Sequence, residues 1–293
     1  MKKKKNISQI ILNLIFIIAC IVTIFPLVLL ISVSFSNEMD IALNGYSILP
    51  KTMDLSAYKY VLRNPETILQ AYKVTATFSI IKMGLGVMLM AMIAYPLSIK
   101  AFRARRGVSF FLYFTMLFSG GMVPTYILIT QYLQLNNNIW VYIIPGLISP
   151  WYVFMMRTFM QSIPEQLREA VKIDGGNEYT IFFRIILPLS KPVLATVALF
   201  TFLAAWNDWN TPMLYITDNK LNSLQYLLQI LLKDLEVLKQ MQASGLSLEG
   251  AVDVPSETVR MAMAVLVMGP ILIVFPFFQK YFVKGMTVGS VKG

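Results

Sequence analysis

Apolar residues in this chain come in long runs separated by short polar stretches. The first run, Ile7 to Val33, can cross a ~30 Å hydrocarbon layer at ~1.5 Å per residue. Pro26 predicts a kink within it. Further runs predict spans at Tyr72–Ile99, Val108–Thr130, Trp140–Phe159, Pro192–Ile216 and Thr258–Val283. The expected fold is an all-α polytopic membrane protein with six transmembrane helices and both termini in the cytosol. A secretory signal also starts basic and turns apolar, but its core is only ~7–15 residues, and no small-residue cleavage site follows Val33.

Between the runs the pattern changes. Ser36 to Ala71 is polar, with an Asn44-Gly45 turn and prolines at Pro50 and Pro65; it reads as an external cap or a solvated linker. Thr217 to Glu257 is a second external loop. Within it Leu224, Leu227, Leu228, Leu231, Leu235 and Leu238 repeat at helical spacing, opposite Lys233, Asp234, Glu236 and Lys239. That helix either docks an external partner or packs on the loops. Gly245 to Pro255 reads as a linker. Residues 160–191 form a polar loop, and 279–293 a short basic tail. The domain plan is therefore a basic terminus at 1–6 and one transmembrane domain at 7–293.

Composition agrees with a membrane protein: 57% of residues are apolar and 14% charged, where soluble domains carry about 25%. Charge sets the orientation, because cytosolic loops hold an excess of Lys and Arg. With the N-terminus inside, the cytosolic segments hold sixteen basic residues against four acidic. The external ones hold eight against ten, and Lys82 and Asp208 lie within spans. Topology accounts for the net charge of +10, so no nucleic-acid partner is needed. The only cysteine, Cys20, excludes an internal disulfide. There is no histidine, which removes the usual general base and metal ligand. No phosphate loop of the G-x-x-x-x-G-K-[ST] kind occurs, nor a nucleophile–base pair. The expectation is a transport subunit and not an enzyme. It binds no metal or cofactor of its own, and any ATP and Mg are bound by partner subunits.

Several span residues are candidates for a transport path. Lys82 either lines a water-filled route or snorkels outward. Gly84 and Gly86 allow close helix packing. Gly120 and Gly121, ahead of Pro124, break the third span, which either opens onto a path or is a simple kink. Trp206, Asn207, Asp208, Trp209 and Asn210 combine aromatic faces with amide and carboxylate groups, which suits sugar rings and hydroxyls. An interfacial aromatic belt explains the tryptophans but not Asn207 and Asp208.

The most specific stretch is Glu169 to Pro188. Ser162 and Glu165 match a capping box, with Pro164 in the first turn. Leu167, Ala170 and Val171 share a face; Gly175-Gly176 stops the helix; Asn177 caps the next one, which runs to Pro188. The spacing Glu169, Ala170, Val171, then Gly175, then Ile185, Leu187 and Pro188 resembles the EAA loop of ABC importer permeases, with Val171 where alanine is usual. Spans two to six and the tail resemble the carbohydrate-importer permeases of the MalG type. Ser119-Gly120-Gly121 with Pro124, the run Ser162-Ile163-Pro164-Glu165, and Gln279 to Gly285 look like the LplC-like branch for oligosaccharides. The resemblance implies a type I importer fold in a bacterial cell membrane and a second, homologous but non-identical permease. It implies two ATP-binding subunits that receive the Glu169 helix, and an extracellular or periplasmic sugar-binding protein. Rival readings are an importer of another solute such as peptides, and a secondary transporter.

Overall fold

A computed structural model describes residues 7–244 and 256–289. The basic N-terminal hexapeptide, the Gly245–Pro255 linker and the last four residues lie outside the described residues. Fifteen α-helices are described. They are α1 (Ile7–Ser34), α2 (Glu38–Asn44), α3 (Ser56–Val61), α4 (Pro65–Ser98), α5 (Arg105–Leu117), α6 (Met122–Ile127), α7 (Trp140–Ile143) and α8 (Pro150–Gln161). There follow α9 (Gln166–Ile173), α10 (Glu178–Ile181), α11 (Leu187–Leu189), α12 (Lys191–Trp206), α13 (Asn210–Tyr215), α14 (Leu224–Ala243) and α15 (Ser256–Gly289). Two π-helical turns extend α6 through Leu128–Tyr132 and join α10 to α11 through Phe182–Ile186.

Three described helices are long and apolar enough to cross a membrane: Gln9–Ser34, Pro65–Ser98 and Glu257–Gln279. Two bent pairs bring the number to five if each counts as one span. Arg105–Leu117 with Met122–Tyr132 bends by 112°, and Glu178–Leu189 with Lys191–Trp206 by 76°. The first bend falls at Phe118–Gly121, where the glycines and Pro124 predict a break.

The expected fourth span, Trp140–Phe159, is not one helix. α7 ends at Ile143, and α8 starts only at Pro150. Pro145, Gly146 at φ +69° and Pro150 interrupt a run that composition alone reads as continuous. The fifth span also ends early: α12 stops at Trp206, and α13 is a separate helix. The second span begins earlier than expected. Pro65 opens α4 instead of breaking the loop, because a missing N–H costs nothing in the first turn. α15 likewise runs on past Gln279 into the expected tail.

The chain divides into two compact units, residues 1–68 with 228–269, and 69–227 with 270–293. In the first unit, Ala57 of α3, Leu235 of α14, and Val259 and Ala262 of α15 form a small core. The loop before α3 closes on an isolated bridge between Ser36 and Met53. Asn37 caps α2 by accepting the Met39 N–H at 2.9 Å.

Among the described residues of the second unit, two cores stand out. One gathers Phe78, Ile129, Val141, Tyr142, Ile143 and Ala205, with Phe78 and Tyr142 stacked at 4.2 Å. The other joins Met90, Ala91, Ala94, Tyr95 and Leu97 of α4 to Val153, Met156 and Met160 of α8, to Ile181, Phe182 and Ile186, and to Val193 and Val197 of α12. At Gly86 α4 runs close to a neighbour: a Cβ there would stand 2.9 Å from the carbonyl oxygen of Leu147.

Candidate coupling loop and transport path

α9 is a two-turn helix with none of its own residues fully buried. Glu169 and Ala170 are exposed, Ile173 is 86% exposed, and Leu167 is exposed as well. Val171 instead turns inward and packs on the α4–α8–α12 core. The motif departure at this position therefore lies on the supporting side of the helix and leaves the outward face unaltered.

The helix ends where glycine permits it. Gly175 has φ +78°, and its N–H donates to the Lys172 carbonyl at 3.1 Å. Gly176 follows, with its N–H on the Val171 carbonyl at 2.8 Å; a side chain here would run into Val171. Asn177 then caps α10, its Oδ1 accepting from the Thr180 N–H at 2.9 Å. Beyond it, Ile185 is half-buried in the π-turn, Leu187 packs on the core, and Pro188 is exposed. The motif thus sorts by role: Glu169 and Ala170 face outward, while Val171, Gly175 and Leu187 hold them there.

The expected capping box does not form. Ser162 keeps helical angles as the C-cap of α8, and its hydroxyl donates back to the Phe159 carbonyl at 2.7 Å. α9 begins at Gln166, and Glu165 makes no side-chain cap. A serine that finishes one helix is not free to start the next.

A polar cluster lies behind the loop. The Lys172 ammonium sits 2.7 Å from Glu178 Oε1, and the Tyr95 hydroxyl donates to Glu178 Oε2 at 2.5 Å. Tyr95 is buried near the end of α4, with its ring 5.3 Å from that of Phe182. Beside it lies a cavity of about 490 Å³, lined by Tyr95, Ile99, Phe102, Tyr179, Phe182 and Phe183 among others. Nothing in the sequence marks Tyr95, which is 83 positions from its partner.

Of the path candidates, Lys82 and Asp208 lie close enough to interact electrostatically. Lys82 donates to the Tyr142 carbonyl at 2.8 Å. Tyr142 in turn donates through its hydroxyl to the Leu221 carbonyl at 2.7 Å. Gly120 and Gly121 are exposed at the bend, Gly121 with φ +86°.

Trp206 is buried, 4% exposed, against Phe202. Trp209 is 39% exposed, and Asn207 and Asn210 are exposed. The Asn207 amide donates to the Leu203 carbonyl at 2.9 Å. Asp208 accepts the Thr211 N–H at 2.9 Å, so its carboxylate serves the N-terminus of α13. Its carbonyl also accepts the Ser223 hydroxyl at 2.7 Å.

This fold and loop define a class, an all-helical membrane permease. Residues 1–288 match the family described as binding-protein-dependent transport system inner membrane component, and the chain belongs to that family. It is an ABC importer permease of the carbohydrate type, a multi-pass protein of the bacterial inner membrane and not an enzyme. Membership implies ATPase and binding-protein partners.

Protein LplC of Bacillus subtilis is 39% identical over 93% of this chain and 90% of its own length. The polygalacturonan/rhamnogalacturonan transport system permease protein YtcP of the same organism is 35% identical over 93% and 94%. A crystal structure of a bacterial ABC transporter that imports the acidic polysaccharide alginate superposes with a TM-score of 0.80. It covers 96% of this chain and 99% of its own, at 27% identity.

Proposed function

We propose that this chain is one half of the translocation unit of a carbohydrate importer, with an oligosaccharide as cargo. A second, homologous permease supplies the other half. Two ATP-binding subunits hold ATP and Mg, and an external sugar-binding protein delivers the cargo. The chain crosses the membrane six times, with α7 and α8 together forming the interrupted fourth crossing and both termini in the cytosol. An even number is what the charge distribution requires.

The mechanism is alternating access. The loaded binding protein docks outside, and ATP closes the ATPase pair. The Glu169 helix moves with it, and the cavity between the two permeases opens outward to take the sugar. Hydrolysis resets it. Glu169, Ala170, Val171, Gly175, Ile185, Leu187 and Pro188 form the coupling element. The sugar path includes Trp209, Asn207 and Asn210, whose exposed aromatic and amide groups suit ring stacking and hydroxyl bonding.

The supporting observation is the exposed face of α9, presented by a helix whose inward residue and glycine stop fix its pose. The oligosaccharide assignment is supported by relatives described as transporting polygalacturonan, rhamnogalacturonan and arabinooligosaccharides. In cells carrying the whole importer, Gly175→Pro or Ala170→Asp abolishes uptake without preventing membrane insertion or ATPase binding. Normal uptake by both variants overturns the coupling role. Competition by unlabelled peptides and not by oligosaccharides would make the cargo a peptide. Uptake that survives ATP depletion but collapses with the proton gradient would mean a secondary transporter.

A further inference from the structure

We infer that Glu178 is a positioning residue for transport, tying the α9 coupling helix to the cytosolic end of α4 through one carboxylate that grips both. This rests on α9 being the coupling element and adds how its motion reaches a membrane helix.

A helix that transmits a push must be joined to what it moves. α9 buries none of its own residues completely and meets the core through Val171. The second joint is polar. One oxygen of Glu178 faces the Lys172 ammonium on α9; the other accepts the Tyr95 hydroxyl on α4. Charge-assisted bonds of this kind are short and directional.

Packing accompanies this joint: Ala94, Tyr95 and Leu97 of α4 share a buried core with Ile181, Phe182 and Ile186. Beside Tyr95 and Phe182 lies a gap, the cavity lined by Ile99, Phe102, Tyr179 and Phe183. The carboxylate bridges the edge of that gap. Glu178 and Lys172 are each about half exposed, so the pair adds little to stability. Its loss should therefore loosen the link between the two helices, leaving the Val171 contact in place and the protein folded.

The test uses the complete importer in cells and in proteoliposomes. The cargo probes are short oligogalacturonides and arabino-oligosaccharides, whichever the wild type imports. Glu178→Ala should lower sugar imported per ATP hydrolysed about tenfold, within the range of a typical coupling free energy, with the ATPase still co-purifying. Tyr95→Phe should lower it less. The exchange Lys172→Glu with Glu178→Lys should restore most of the ratio, because it rebuilds the pair with reversed sign and the Tyr95 hydroxyl can accept from an ammonium.

A normal ratio in Glu178→Ala, a double exchange no better than its single changes, or loss of the ATPase from Glu178→Ala each overturns the inference. Ala170→Asp, run alongside, separates the two ideas. If it abolishes uptake while Glu178→Ala does not, coupling through α9 stands and only the Glu178 link falls. If it leaves uptake normal, both fall.

Discussion

Glu38 caps a helix that begins more than two hundred positions later. Its two carboxylate oxygens accept the Glu257 and Thr258 N–H groups, each at 2.9 Å, and Oε2 also takes the Thr258 hydroxyl at 2.8 Å. The segment after α1 thus satisfies backbone donors in the first turn of α15. Glu38→Ala should destabilise the protein by about 1 kcal/mol, the usual worth of an N-cap, and Glu38→Gln by less. Thermal unfolding of the detergent-solubilised protein measures both. An unchanged midpoint in Glu38→Ala would show that the contact is not formed in solution.

The two glycines of α4 should behave oppositely. Gly86→Ala puts a Cβ 2.9 Å from the Leu147 carbonyl, and the segment between α7 and α8 has to move; about 1–3 kcal/mol of destabilisation follows. Gly84 has open space around it, so Gly84→Ala should be neutral or stabilising by up to about 1 kcal/mol through helix propensity. Unfolding midpoints of the two variants, compared in one detergent, decide the matter.

Trp206 and Trp209 are adjacent in sequence pattern yet differ in surroundings. Trp206→Ala empties a buried site and should cost about 3–5 kcal/mol of stability. Trp209→Ala should leave folding intact and raise the sugar concentration needed for half-maximal uptake about tenfold, the scale of one lost aromatic contact. Uptake kinetics set against unfolding midpoints separate these outcomes.

Asp54 gives the loop between α2 and α3 a pH dependence. The Ser56 N–H donates to it at 2.8 Å and Asn37 at 3.0 Å, and the Ser56 backbone bond is the main cause of a carboxyl held below its usual range. A depressed pKa means the stabilisation is complete above the unfolded value of about 3.9 and is lost as pH falls through the lower folded value. Amide exchange at Ser56 and Ala57, corrected for intrinsic rates, should stay constant from neutrality down to that range and then rise. Asp54→Asn should remove the step.

Much of this was readable from residue order because it is local. The glycine stop at Gly175, the Asn177 cap and the leucine-striped α14 each need only a few neighbours in sequence. The break ahead of Pro124 is local in the same way. Other features depend on partners that sequence spacing cannot supply. The Asp208 bond to the Thr211 N–H is one such feature. Ser162 and Glu165 fit a capping box by type, but Ser162 already belonged to α8. Hydropathy averages over Pro145 and Gly146, so the interruption of the fourth span was invisible to it. The Tyr95–Glu178 bond joins distant elements and had no signal at all.

Among the described residues of α1, full burial is confined to the last turn. Residues 9–26 are exposed on every side, and burial starts in the last turn with Ser32, Val33 and Ser34, where the Ser34 hydroxyl meets that of Tyr58 at 2.9 Å. Such a rod is moored within its own unit at one tip. Swapping leucine for isoleucine along its exposed length should pass unnoticed by the fold, while one change at Ser34 would loosen the mooring.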